Sequence, residues 1–84
     1  MEKYIWVLTC GGIFPCGIFK TKEQAEKVIQ KYLLKGVLTR YPIDEFIYEY
    51  EMKKGDFIPK NELQKTSKFI GNFSSAYLEH YHYE

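Results

Sequence analysis

Residues 21–36 hold the strongest local constraint in the chain. Thr21-Lys22-Glu23-Gln24 matches a capping box, in which the Thr hydroxyl accepts from the amide three residues on and Gln reaches back to the Thr amide. Ala25, Val28, Ile29, Tyr32 and Leu33 then follow at i, i+3, i+4, i+7 and i+8, a single apolar stripe. Lys31 and Lys35 favour the C-terminal end of the helix dipole, and Gly36 fits a left-handed cap. The spacing predicts a helix over about 21–35 whose stripe must be covered by another layer.

The covering layer reads as a sheet. Tyr4 to Thr9 (Y-I-W-V-L-T) is β-branched and aromatic with almost no polar break, the pattern of a central strand. Gly11-Gly12 ends it, and Gly17 to Lys20 is the returning strand. Val37 to Tyr41 is a third strand, stopped by Pro42. Phe46 to Met52 admits two readings. As a strand, Phe46, Tyr48, Tyr50 and Met52 share one face; as a helix, Asp44 caps it and Gly55 stops it. The clean alternation and the Lys53-Lys54-Gly55 turn favour the strand. Pro59 to Lys68 is polar and reads as a surface loop, with closing strands over Phe69–Phe73 and Tyr77–Tyr83.

With 84 residues there is room for one domain, and none for a deep two-walled cleft. Leu, Ile, Val and Phe number 23, enough to fold. The formal net charge is +1, and Arg40 is the single Arg among 12 basic residues, so nucleic acid is not expected as a partner. Residues 1–42 carry seven basic and three acidic groups, and residues 43–84 carry five and eight. No apolar run is long enough to span a membrane, and no signal-peptide pattern opens the chain. A cytoplasmic setting follows as the expectation. Cys10 and Cys16, which flank the 11–15 loop in a reducing compartment, are then expected as free thiols.

The chemical oddity is His80-x-His82, followed by Glu84. On a strand the two imidazoles share a face about 6.5–7 Å apart, a spacing that suits one zinc or copper ion. Two ligands at a chain end make an incomplete site. Tyr77, Tyr81 and Tyr83 fall on the opposite face and are candidates for an interaction surface, since tyrosine brings large contact area at low entropic cost; packing on the core is the alternative. Gly11-Gly12 lacks the spacing of a phosphate loop. Ser74-Ser75 near the histidines has no placed acid or oxyanion hole, and Glu49 and Glu51 read as solvated charge. No enzymatic activity and no cofactor are expected.

Phe14-Pro15-x-Gly17-Ile18-Phe19, the Ala25-Glu26 helix, Leu38-Thr39-x-Tyr41-Pro42-Ile43-Asp44 and Phe69-Ile70-Gly71-x-Phe73, with the His80-Tyr81-His82-Tyr83-Glu84 ending, together resemble a bacterial family known only as a domain of unknown function. The likeness spans nearly the whole chain and is weakest around residues 45–65. Cys10 and Cys16 are where this chain departs from the family's pattern. The resemblance implies a natural, complete domain and carries no activity with it.

The expected fold is therefore α+β in two layers: an antiparallel sheet of four to five strands with one main helix on one face. Trp6, Leu8, Ile18, Val28, Ile29, Leu33 and Leu38 are the expected core, leaving an uncovered, tyrosine-rich sheet face. A contiguous aromatic face points to a non-enzymatic protein-binding module that takes a protein partner or a second copy of itself, for instance as an immunity-type inhibitor. The alternative is a small metal-binding protein using His80 and His82.

Overall fold

Strand propensity and turn chemistry at the N-terminus produce a hairpin in the computed structural model, which describes residues 3–73 and 78–84. Strand β1 (Tyr4–Thr9) pairs antiparallel with β2 (Gly17–Phe19) on one side and with β3 (Gly36–Pro42) on the other. The last strand, β4 (His80–Tyr83), pairs antiparallel with β3, so the order is β2-β1-β3-β4. As its apolar run suggested, β1 is central. The fold is α+β, with four strands among the described residues. The chain divides into two compact units, Met1–Ile43 with Leu78–Glu84 and Asp44–Tyr77.

In the first unit, helix α1 (Lys22–Tyr32) lies on one sheet face. Both halves of its capping box form: the Gln24 amide donates to Thr21 Oγ1 at 3.2 Å, and the Thr21 amide to Gln24 Oε1 at 3.3 Å. Directly paired residues share a sheet face, so the register sorts the faces. Trp6 and Leu8 of β1, Phe19 of β2, Leu38 of β3 and Tyr81 and Tyr83 of β4 lie on the α1 side. Trp6, Leu8, Ala25, Ile29 and Leu38 form the buried core, with Cys10, Phe19, Leu34, Tyr81 and Tyr83 packed around it. Burying a side chain such as Leu8 or Leu38 contributes about 1.5–3 kcal/mol.

Three expectations change here. Ile18 is not core: paired with Val7, it lies on the face away from α1 and is 64% exposed. Leu33 is not core either, because it is the left-handed C-cap (φ 55°) and turns out to solvent; Val28 is half-buried. Gly36 is consequently not the helix cap. It opens β3 and is glycine because a Cβ there would run into the Thr9 carbonyl oxygen and lie 2.9 Å from Cys10 Cα.

The second unit overturns the strand reading of residues 46–52. They begin helix α2 (Ile47–Lys54), entered from an extended Phe46 and closed by Gly55 at φ 83°, whose amide bonds the Glu51 and Met52 carbonyls. Asp44, at φ 63°, turns the chain just before it and is not the cap. The polar stretch is ordered into a 3₁₀ turn (Glu62–Lys65) and a short helix α3 (Ser67–Gly71), capped by the Asn61 and Thr66 side chains. Phe69 therefore sits in a helix, and Phe69–Phe73 is not a strand. Tyr48, Phe57, Phe69 and Phe73 form an aromatic cluster, with Tyr48 centred 5.5 Å from Phe57 and 5.5 Å from Phe73. The Tyr48 hydroxyl donates to the Gln64 carbonyl at 2.8 Å, anchoring the 3₁₀ turn to α2.

Candidate functional site

The register of β4 decides what each candidate residue does. His80 pairs with Thr39 and His82 with Val37, so both imidazoles occupy the face away from α1. Their rings lie 5.2 Å apart, edge to face. His80 Nδ1 lies 2.8 Å from the Leu78 carbonyl, an acceptor to which Nδ1–H donates, and this contact fixes the orientation of the ring. His82 is exposed, as is Glu84. Among the described residues no group of three or more His, Cys, Asp or Glu side chains is arranged to hold a metal ion. The pair thus offers two imidazoles on one face, and the row does not extend to a third ligand.

Tyr81 and Tyr83 are not on an uncovered face, a correction to the expected tyrosine-rich surface. Tyr81 tilts against Trp6 at 6.1 Å, lies under the Lys22 ammonium at 3.7 Å and donates its hydroxyl to Glu79. That hydrogen bond to a carboxylate, ahead of burial, pushes the Tyr81 phenol up. Tyr83 donates to Glu26 of α1 at 2.7 Å; burial first, and then this bond, push its phenol up to about 12. Arg40 reaches Glu79 at 3.6 Å and lies 4.0 Å over the Tyr4 ring. These contacts tie β4 to the helix-covered layer. Tyr77 and the Ser74-Ser75 pair lie outside the described residues. Glu49 and Glu51, read as neighbours on a strand face, separate on α2: Glu49 is exposed and Glu51 fully buried.

Besides Ile18, a group of exposed apolar side chains lies at one end of the first unit. β1 runs out at Thr9 and β2 starts beside Leu8, so the 11–16 loop caps that end of the sheet. α1 ends at Tyr32 and β3 starts at Gly36, against Thr9, which brings the helix C-terminus to the same end. Four large side chains there face solvent: Ile13 (89% exposed), Phe14 (78%), Tyr32 (61%) and Leu33 (84%). In the sequence Leu33 continues the apolar stripe of α1, which points to the core, and residues 11–15 carry only loop signals. The available signal was Ile13-Phe14-Pro15 itself, bulky apolar residues where turn chemistry leaves nothing to bury them. Cys10 and Cys16 stand at the base of this loop as free thiols, their Sγ atoms 3.5 Å apart.

In the second unit, Leu63, Thr66, Lys68, Phe69, Asn72 and Phe73 line an open groove of ≈ 710 Å³. It presents aromatic edges with one ammonium and one amide, and no titratable pair. None of the described helices is long and apolar enough to cross a membrane.

No curated protein and no solved structure matches the chain. A family model does, described as "Domain of unknown function (DUF7710)", over residues 5–84. That range takes in all of β1 but Tyr4, together with α1, the second unit and β4, the elements from which the candidate surfaces are built. The chain therefore belongs to this family of uncharacterised domains.

Proposed function

We propose that the chain is a non-enzymatic protein-binding module whose contact is the apolar end formed by Ile13, Phe14, Tyr32 and Leu33, and that its first partner is a second copy of itself. The observation that carries this reading is the exposure of four large apolar side chains at one end of the first unit. Single exposed apolar residues are ordinary on any surface, whereas several brought together by the topology mark a contact region. Phenylalanine and tyrosine are also the residue types that dominate the centres of protein contacts. This moves the interaction surface away from the tyrosines of β4, which are engaged by Trp6, Lys22, Glu79 and Glu26.

One observation favours a second reading. The His80 and His82 rings lie 5.2 Å apart on one strand face, so a pair from each of two copies would supply the four ligands of a tetrahedral zinc ion. A single experiment separates the readings: solution mass by light scattering over a range of concentration, with zinc and with EDTA. The apolar contact gives a mass that rises towards the dimer regardless of metal and falls back to monomer in the Ile13→Ser/Phe14→Ser double variant. The metal reading gives a dimer only with zinc, lost in His80→Ala/His82→Ala. A monomer under every condition removes self-association from both.

A further inference from the structure

We propose that Cys10 and Cys16 form a thiol–disulfide exchange site that accepts small disulfides of the glutathione type and closes to an internal Cys10–Cys16 bond. The sulfurs meet at 3.5 Å although six positions separate them in sequence. Two features of the fold create the meeting. The Cys16 amide donates to the Leu8 carbonyl at 2.8 Å, which locks the returning chain beside β1. On the other side, glycine at position 36 leaves room for Cys10: a Cβ there would sit 3.0 Å from Cys10 Sγ. Between the cysteines, Gly11 at φ 80° and Gly12 give the loop the backbone freedom to take up the small movement from contact to bond.

The two thiols are not equivalent, which sets their roles. Cys16 is exposed and open to a disulfide arriving from solvent; Cys10 is half-buried against the core. Burial, then the contact with Cys16, push the Cys10 thiol up, so it keeps its proton until it is needed. The Cys16 thiolate attacks one sulfur of RS–SR, forming a Cys16–SR mixed disulfide and releasing RS⁻, which is protonated to RSH. Cys10 then loses its proton and attacks Cys16 Sγ; the Cys10–Cys16 bond forms and the second RS⁻ leaves and takes a proton. Two protein thiols are oxidised, one disulfide is reduced to two thiols, and no other reactant is needed. Closure would fasten the base of the loop that carries Ile13 and Phe14, but the exchange chemistry stands without any partner for that loop.

The test uses the full chain, reduced, and equilibrated with mixtures of glutathione and glutathione disulfide, then acid-quenched for intact mass. The expected product is the chain less two hydrogens, with no accumulated mixed disulfide. Preorganised thiols should also give a native equilibrium constant at least about tenfold above that of the same chain in urea. Cys10→Ser should stop at the Cys16–glutathione adduct, and Cys16→Ser should react more slowly than Cys10→Ser. Retention of both thiols overturns the proposal. So do glutathione adducts on both cysteines, or a native equilibrium constant no larger than that in urea. These outcomes come from the unaltered chain and hold whether or not the variants fold.

Discussion

The Tyr83 hydroxyl donates to Glu26 Oε2 at 2.7 Å, joining the final strand to the helix across 57 positions of sequence. A half-buried phenol that keeps its proton to serve a carboxylate ties the stability of this layer to alkaline pH. The folded phenol is raised to about 12 from the ordinary value of 10.0. Between those values the folded chain holds a proton that the unfolded chain has released. Stability is thus fully present below about pH 10 and is lost as pH rises towards about 12. Tyr81, raised in the same direction, adds to the slope. The unfolding free energy of Tyr83→Phe, measured by urea denaturation, should be lower at neutral pH by about 0.5–1.5 kcal/mol and should fall less steeply above pH 10. An alkaline slope equal to that of the parent chain would remove Tyr83 as its source.

Thr21→Ala should lower stability by about 0.5–2 kcal/mol while leaving the circular dichroism spectrum of the folded protein intact. The loss has two parts, since Thr21 Oγ1 accepts from the Gln24 amide and its removal also loosens the reciprocal Gln24 contact. Thermal melts of Thr21→Ala and Thr21→Ser side by side are the check: serine should recover most of the difference. Equal melting of all three proteins would mean that the cap is not a stabilising contact.

Gly36→Ala should destabilise by about 1–3 kcal/mol, because the new methyl group meets the Thr9 carbonyl and Cys10 Cα, both backbone and neither able to swing away. Gly71→Ala is the control, with nothing within 4 Å of the added carbon. Chemical denaturation of the pair measures the contrast. If the two variants denature together, the close approach of β3 to residues 9 and 10 is not as described.

Tyr48 is the hub of the aromatic cluster in the second unit, touching Phe57, Phe69 and Phe73. Tyr48→Phe keeps the rings and loses only the bond to the Gln64 carbonyl, for about 0.5–1.5 kcal/mol. Tyr48→Ala empties the centre and should cost about 3–5 kcal/mol. Hydrogen exchange at the amides of α2 reads both: protection should fall modestly in the first variant and collapse in the second. Similar small losses in the two would show that the cluster is not the core of that unit.

Sequence alone determined the elements whose signals are local. The capping box with its apolar stripe placed α1, the aromatic β-branched run placed β1 at the centre of the sheet, and the double glycine placed the hairpin. Each rests on contacts within a few residues, so the information lies in a short window. Tertiary structure decided the rest. Alternation in His80–Tyr83 puts histidines and tyrosines on opposite faces, but only the pairing of Leu38 with Tyr81 assigns the tyrosines to the face that α1 covers. Residues 46–52 alternate as a strand does, yet they fold as a helix. There Tyr48 packs with rings from positions 57, 69 and 73, a gain that no window around residue 48 contains. Leu33 continues the helical stripe in sequence and leaves it in space, since the chain must turn at φ 55° for Gly36 to enter β3 beside Thr9. The apolar end followed from that same turn and from the direction of β1. Burial there is a property of the whole topology, and periodicity reports only which residues share a face.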